Sequence, residues 1–193
     1  MKKIVEITHD ILKTYFIENC VCVDFTMGQG FDTLFLAKQK EISHVYAFDI
    51  QPQAKKITET LLAQENCLEK VDCILDGHEH CDTYVTSYQA GIFNFGYFPQ
   101  GDKNITTLLE TSKIAVEKAL KLLNVHGALV LTLYPGHEEG KMESCYFDTW
   151  CKTLHSRYYS VMKICMQNKK DAPYVLVLSL IHISEPTRPE PIS

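Results

Sequence analysis

Two glycines in the run VCVDFTMGQGFDTLFLA, Val21 to Ala37, mark the first place where this chain could do chemistry. Gly28 and Gly30 stand between an apolar, strand-like segment and a segment of helical pattern. Glycine lets a backbone pass close to a ligand, and the start of the following helix offers N–H groups without intrahelical partners. The turn is also acidic: Asp24 precedes it and Asp32 follows it, with Thr26 and Thr33 alongside. A dinucleotide site calls for G-x-G-x-x-G with a pyrophosphate at the helix terminus. Here the third glycine is replaced by Thr33, and carboxylates would repel a pyrophosphate. A ligand carrying a positive amine and a sulfonium suits them, and S-adenosylmethionine is such a ligand. Asp24 is then expected to face its amine, directly or through water.

Further polar residues follow apolar runs. Asp49 closes VYAFDI, where a carboxylate can accept both hydroxyls of an adenosine ribose, a feature shared by NAD and S-adenosylmethionine sites. Ile50 is placed to pack on adenine and Gln51 follows it. Asp76 and His78 end the third run and could reach the adenine edge, with a solvated loop histidine as the alternative for His78. In IFNFGYFPQGDK, the Asn94 amide oxygen can hold an amine, Tyr97 or Phe98 can lie against a flat base, and Asp102 and Lys103 come just beyond. A hydrophobic turn closing the sheet is the bland alternative. In LYPGHEEGK, Pro135 and Gly136 break a strand, leaving His137 as a base near neutral pH or as a binding or helix-start residue.

These residues need a scaffold that gathers them. Helical spacing predicts helices over 4–18, 33–38, 53–64, 106–123 and 139–154, with a short one over 81–88. Apolar β-branched runs predict strands over 21–25, 45–50, 71–75, 90–94 and 128–133, and a terminal pair over 159–166 and 173–178. Alternation at this spacing implies an α/β fold: a doubly wound, mostly parallel, seven-stranded sheet with helices on both faces. In such folds ligands bind beyond the carboxyl ends of the strands, where the polar candidates fall.

The bulk properties bound the class. The chain has 193 residues, the size of one domain, with 46% hydrophobic residues for a core. A net charge of -5 argues against a strongly basic nucleic-acid binder while leaving room for a local basic patch. No apolar run suits a membrane span, and the start MKKIVEITHD is a poor signal peptide. Eight cysteines without a CxxC pair suggest reduced thiols in a cytoplasmic protein and no metal site. The final run LSLIHISEPTRPEPIS resembles an in-frame translation of a sequencing adapter, and Pro186, Pro189 and Pro191 oppose helix or sheet. The expected domain is therefore 1–178, with 179–193 a foreign, disordered tail.

Taken together, DFTMGQGFDTLFLA, YAFDIQ, FNFGYFPQGDK and LYPGHEEGK resemble the class I methyltransferases grouped as rRNA methylases. A bacterial branch of that family methylates the tRNA wobble uridine. The resemblance spans nearly all of residues 4–178. It carries the glycine motif onto Asp24, Thr26, Gly28, Gly30, Asp32 and Thr33, and the ribose acid onto Asp49. It carries the active-site turn onto Asn94, Gly96, Tyr97, Pro99, Gly101, Asp102 and Lys103, and the second signature onto Tyr134, Gly136, His137, Glu139, Gly140 and Lys141. Gln29, Phe31 and Gln100 depart from the family pattern, Gln100 in place of a frequent glycine, without removing a carboxylate or glycine that the mechanism needs.

The resemblance implies transfer of a methyl group from S-adenosylmethionine to the amine of 5-aminomethyluridine or its 2-thio form. Asn94, Tyr97, Asp102 and His137 are then the catalytic candidates. Gly96 joins the cofactor set, and Tyr97, Phe98, Lys103, Tyr134, His137 and Lys141 form the substrate set. The implied partner is a tRNA anticodon stem-loop, met by Lys2, Lys3, Lys163, Lys169 and Lys170, and a homodimer is expected. Rival readings are a methyltransferase for rRNA or a small amine, an NAD-dependent oxidoreductase, and a non-catalytic interaction domain.

Overall fold

The computed structural model describes residues 3–95 and 109–181. Seven strands form one sheet in the order β3-β2-β1-β4-β5-β7-β6. They are β1 (Cys20–Asp24), β2 (Ile42–Asp49), β3 (Val71–Leu75), β4 (Tyr88–Asn94), β5 (Leu123–Leu133), β6 (Tyr159–Ile164) and β7 (Tyr174–Leu180). Strands β1 to β5 pair in parallel, while β7 runs antiparallel to both β5 and β6. The expected doubly wound, mostly parallel sheet is the architecture found. Among the described residues five α-helices cover it: α1 (Ile4–Lys13), α2 (Phe31–Ala37), α3 (Pro52–Gln64), α4 (Leu109–Leu122) and α5 (Glu138–Cys151).

Two cores follow from the two-residue period of the strands. On one face Leu129, Leu131, Leu133, Leu176 and Leu178 meet Val116 and Leu120 of α4 and Phe147 of α5. On the other, Ala128, Val130, Val175 and Val177 join Leu12 of α1, Leu36 of α2 and Leu62 of α3. Both faces are thus covered, which is why the central strands read as continuous apolar runs.

Several boundaries differ from the sequence expectation. Helix α1 stops at Lys13 instead of reaching 18: the N–H groups of Thr14, Tyr15 and Phe16 bond three residues back, to Ile11, Leu12 and Lys13. That tightened turn accommodates a run of β-branched and aromatic residues with weak helix preference. The helix expected over 81–88 is a 3₁₀ turn over His78–Thr83, because Tyr88 is drawn into β4, where its hydroxyl donates to the Ala119 carbonyl at 2.9 Å. The last strand extends through Leu180, where Ser179 pairs with Ser160 and with Ala128. From residue 182 onward the tail lies outside the described residues. Among the described residues no helix is long and apolar enough to cross a membrane, and no group of His, Cys, Asp and Glu is arranged to hold a metal. All eight cysteines are free thiols.

Candidate functional site

The site begins where β1, flanked by β2 and β4, delivers Asp24 into a fully buried position. Its carboxylate accepts the Thr26 N–H at 3.0 Å and the Thr33 hydroxyl at 2.6 Å. The chain then turns through Gly28 (φ 51°) and Gly30 (φ 80°), a conformation that disfavours side-chain-bearing residues. Neighbouring elements brace this turn. The Gly28 N–H and the Gln51 N–H donate to the two oxygens of Asp49, each at 2.9 Å. Thr58 of α3 donates to the Gly28 carbonyl at 3.3 Å, and a Cβ on Gly30 would come within 2.6 Å of that same hydroxyl oxygen.

Three carboxylates therefore crowd one turn. Burial pushes Asp24 up to about 7, and the negative charge of Asp32 adds to this against the Thr33 and Thr26 hydrogen bonds. Asp49 is also raised by burial, with the Gln51 and Gly28 N–H groups opposing. A ligand bringing positive charge relieves this crowding, whereas a pyrophosphate would worsen it. These acceptors fit the amine and sulfonium of S-adenosylmethionine, with Asp24 and Asp32 suited to the charged end and Asp49 to the ribose hydroxyls. Beside Asp49, Ile50 is 56% exposed and offers an apolar side chain, while Gln51 is buried at the start of α3.

The third strand end divides. His78 is half-buried, its Nδ1 3.1 Å from the Phe25 carbonyl and its ring edge-on to Phe93. Burial lowers its proton affinity, so a neutral ring donating to Phe25 fits the geometry better than a solvated loop histidine. Asp76 accepts from the Gly77 N–H at 2.7 Å and the Tyr84 hydroxyl at 2.9 Å, and lies 2.8 Å from His80 Nδ1. His80 first, then Tyr84, hold its carboxyl below the usual range. In this arrangement Asp76 braces the 3₁₀ turn.

At the ends of β4 and β5, Asn94 is the meeting point. Its backbone N–H donates to Thr26 Oγ1 at 2.7 Å, tying β4 to the glycine turn. Its side-chain amide donates to Asp32 Oδ2 at 3.1 Å. Burial, then the charge of Asp32, pushes the Tyr134 hydroxyl up to about 12. The other Asp32 oxygen lies 2.6 Å from His9 Nε2 on α1. His9 stacks on Phe35 with ring centroids 3.7 Å apart and planes 1° from parallel. The sequence reading missed His9; its only local signal was a titratable residue between the buried helix positions Thr8 and Leu12.

His137 takes the helix-start role among those open to it. It is the N-cap of α5, its Nδ1 accepting from the Gly140 N–H at 3.0 Å. A Cβ on Gly140 would collide with the Tyr134 carbonyl and the His137 ring, so this turn needs glycine. With Nδ1 accepting, the neutral ring carries its proton on Nε2 and presents a donor. Lys141 is exposed one turn into α5. Gln29 and Phe31, two departures from the family pattern, line a groove of about 390 Å³ with Lys56, Ile57, Thr60, Leu61 and Gln64. Gly96, Tyr97, Phe98, Asp102 and Lys103 lie outside the described residues.

Known proteins resemble this chain over most of its length. Residues 45–179 match the family described as "Putative rRNA methylase". A tRNA (mnm(5)s(2)U34)-methyltransferase of Arabidopsis thaliana, a chloroplastic protein, is 28% identical over 191 residues, covering 92% of this chain and 69% of that protein. The crystal structure of a "putative rRNA-methylase" from Clostridium thermocellum superposes with a TM-score of 0.89 at 31% identity, covering 94% of this chain and 99% of the other. A "putative methyltransferase" from Streptococcus mutans, solved in complex with SAH, superposes with a TM-score of 0.85 at 32% identity and the same coverage.

Proposed function

Since the chain belongs to the rRNA methylase family of methyltransferases, we propose that it transfers a methyl group from S-adenosylmethionine to the primary amine of 5-aminomethyluridine, or its 2-thio form, at the tRNA wobble position. The observation that carries this reading is the junction of the carboxylate-lined glycine turn with Asn94. A carboxylate only accepts, so the Asn94 group facing Asp32 is the NH₂. The amide oxygen is thereby committed to a donor elsewhere, as an incoming amine requires. The Arabidopsis relative's name, which specifies the same wobble nucleoside, supports it.

S-adenosylmethionine, when bound, supplies an electrophilic methyl group on a sulfonium. Asp24 and Asp32 hold the positive end, and the Asp49 carboxylate, already fixed by two backbone N–H groups, takes the ribose hydroxyls. Asn94 receives the substrate amine and aligns its lone pair, the main contribution to be expected in an in-line transfer. Tyr134, just past β5, is kept as a neutral phenol by burial and belongs to the substrate side in this reading. The nitrogen forms a bond to carbon as the sulfur–carbon bond breaks toward sulfur, and the amine gives up one proton. With the His137 Nδ1 engaged in capping, Asp102 is the proton acceptor in this reading.

The RNA partner of this reading is an anticodon stem-loop. Lys3, Lys141, Lys169 and Lys170 are exposed and suited to phosphates. Lys163 is instead paired with Asp148 at 2.7 Å and lies over the Tyr174 ring. A homodimer and a cytoplasmic location complete the proposal.

The test is incubation with labelled S-adenosylmethionine and bulk tRNA from cells lacking the terminal wobble methylation, followed by nucleoside analysis. Label in 5-methylaminomethyluridine or its 2-thio form is the expected result. Label in another nucleoside, or none despite measured cofactor binding, overturns the tRNA assignment.

A further inference from the structure

The acids around the glycine turn are explained by a cationic cofactor, but His9 is not. It reaches the site from α1, a helix outside the strand ends that supply the other polar groups. Thr8, its neighbour, is fully buried, and its hydroxyl lies 3.4 Å from that of Thr132 on β5. Thr132 is the register partner of Asn94. Packing of α1 on this end of β5 thus sets His9 beside Asp32. The ring is held by face-to-face stacking on Phe35, with side-chain exposure of 19%, against 10% for Asp32.

We propose that His9 is a positioning residue for methyl transfer: its Nε2–H fixes the Asp32 carboxylate, which in turn fixes the Asn94 amide with its oxygen toward the substrate amine. An unrestrained asparagine amide can present either its oxygen or its NH₂, and only the oxygen can receive an amine hydrogen. Asp32 Oδ2 enforces the productive orientation only if the carboxylate keeps its rotamer, and Oδ1 is the atom His9 holds at 2.6 Å. Without that contact the Asp32 carboxylate can rotate toward the cofactor amine or toward Thr33, releasing the amide. His9 touches neither methyl donor nor acceptor; it acts through two intervening side chains.

This inference rests on the methyltransferase reading, so its test pairs an activity with a measurement that needs no substrate. The Asn94 side-chain NH₂ is identified in a ¹H–¹⁵N spectrum of the full chain by its loss in Asn94→Ala. In the wild type, its carboxylate-bonded proton is expected to be shifted downfield and slow to exchange. In His9→Ala the shift collapses, while His9→Gln, which keeps an N–H donor, restores part of it. Single-turnover methylation of an anticodon stem-loop RNA carrying 5-aminomethyl-2-thiouridine is then measured for His9→Ala, Asn94→Ala and the double variant. His9→Ala is expected to slow transfer up to ~100-fold, with S-adenosylhomocysteine affinity changed less than about threefold. The double variant should be no slower than Asn94→Ala alone, because both changes remove one aligned group. An unmoved Asn94 signal in His9→Ala, or additive losses in the double variant, overturns the proposal. If the wild type fails to methylate that RNA, the substrate reading falls while the spectrum still decides the role of His9. If His9→Ala does not fold, His9→Gln must show the intermediate shift and rate, and wild-type values in it overturn the proposal.

Discussion

Replacing Asp24 with Asn should stabilise the ligand-free protein in alkali and cost it its cofactor. Asp24 is fully buried, and burial with the Asp32 charge lifts its carboxyl from 3.8 to about 7. The folded chain therefore holds this proton more tightly than the unfolded chain. The group's contribution to stability is largest in acid and falls away as pH rises from about 4 to about 7. Linkage with those two values gives a loss of about 3 kcal/mol between about pH 5 and pH 8.5, absent from Asp24→Asn. The amide keeps one carbonyl oxygen for the two donors, Thr26 N–H and Thr33 hydroxyl, which costs ~1 kcal/mol. The variant should thus lie within ~1 kcal/mol of wild type near pH 5 and be stabler by ~2 kcal/mol near pH 8.5. Urea unfolding followed by fluorescence of the single tryptophan, Trp150, reads both values. Calorimetry with S-adenosylhomocysteine should show a loss of roughly 100-fold in affinity, the scale expected when a charge-assisted hydrogen bond is removed. Parallel pH dependences for the two proteins would refute the electrostatic argument. Undiminished cofactor affinity would refute the placement of Asp24 at the amine.

Asn94→Ala should cut turnover far more than cofactor affinity; equal losses in both, measured by kinetics and calorimetry, would show that Asn94 serves cofactor binding instead. Gly30→Ala meets both a φ of 80° and the Thr58 hydroxyl, so a loss of about 1–3 kcal/mol is expected, and Thr58→Ala in the same chain should recover only the steric part. His137→Ala removes the cap of α5 and should cost ~1 kcal/mol in urea unfolding, with methyl transfer falling less than for Asn94→Ala. A steep fall in activity with unchanged stability would instead make His137 the base.

Much of this protein is legible along the chain. Apolar β-branched runs that end in Asp24, Asp49, Asp76 and Asn94 announce both a parallel sheet and the edge that binds ligands, since a covered strand can turn polar only where it emerges. The glycine turn with flanking acids also selects a cationic cofactor over a pyrophosphate without knowledge of any contact. Partnership is not legible, because a hydrogen bond between residues far apart in sequence leaves no periodic trace. Asp32 reads as a cofactor acid, but only the fold sets it between His9, 23 residues before it, and Asn94, 62 residues after it. Asp76 and Asp49 look alike as strand-end carboxylates. Tertiary structure gives one to a local brace with His80 and Tyr84 and leaves the other fixed by the glycine turn. His137 reads as either a base or a helix-start residue, and only the close approach of Gly140 shows that its Nδ1 caps the helix. Residue type and strand-end position determine which groups can reach the ligand edge. Packing of α1, α2 and α5 against that edge decides which groups meet, because a hydrogen bond depends on sub-ångström placement that no spacing in the sequence encodes.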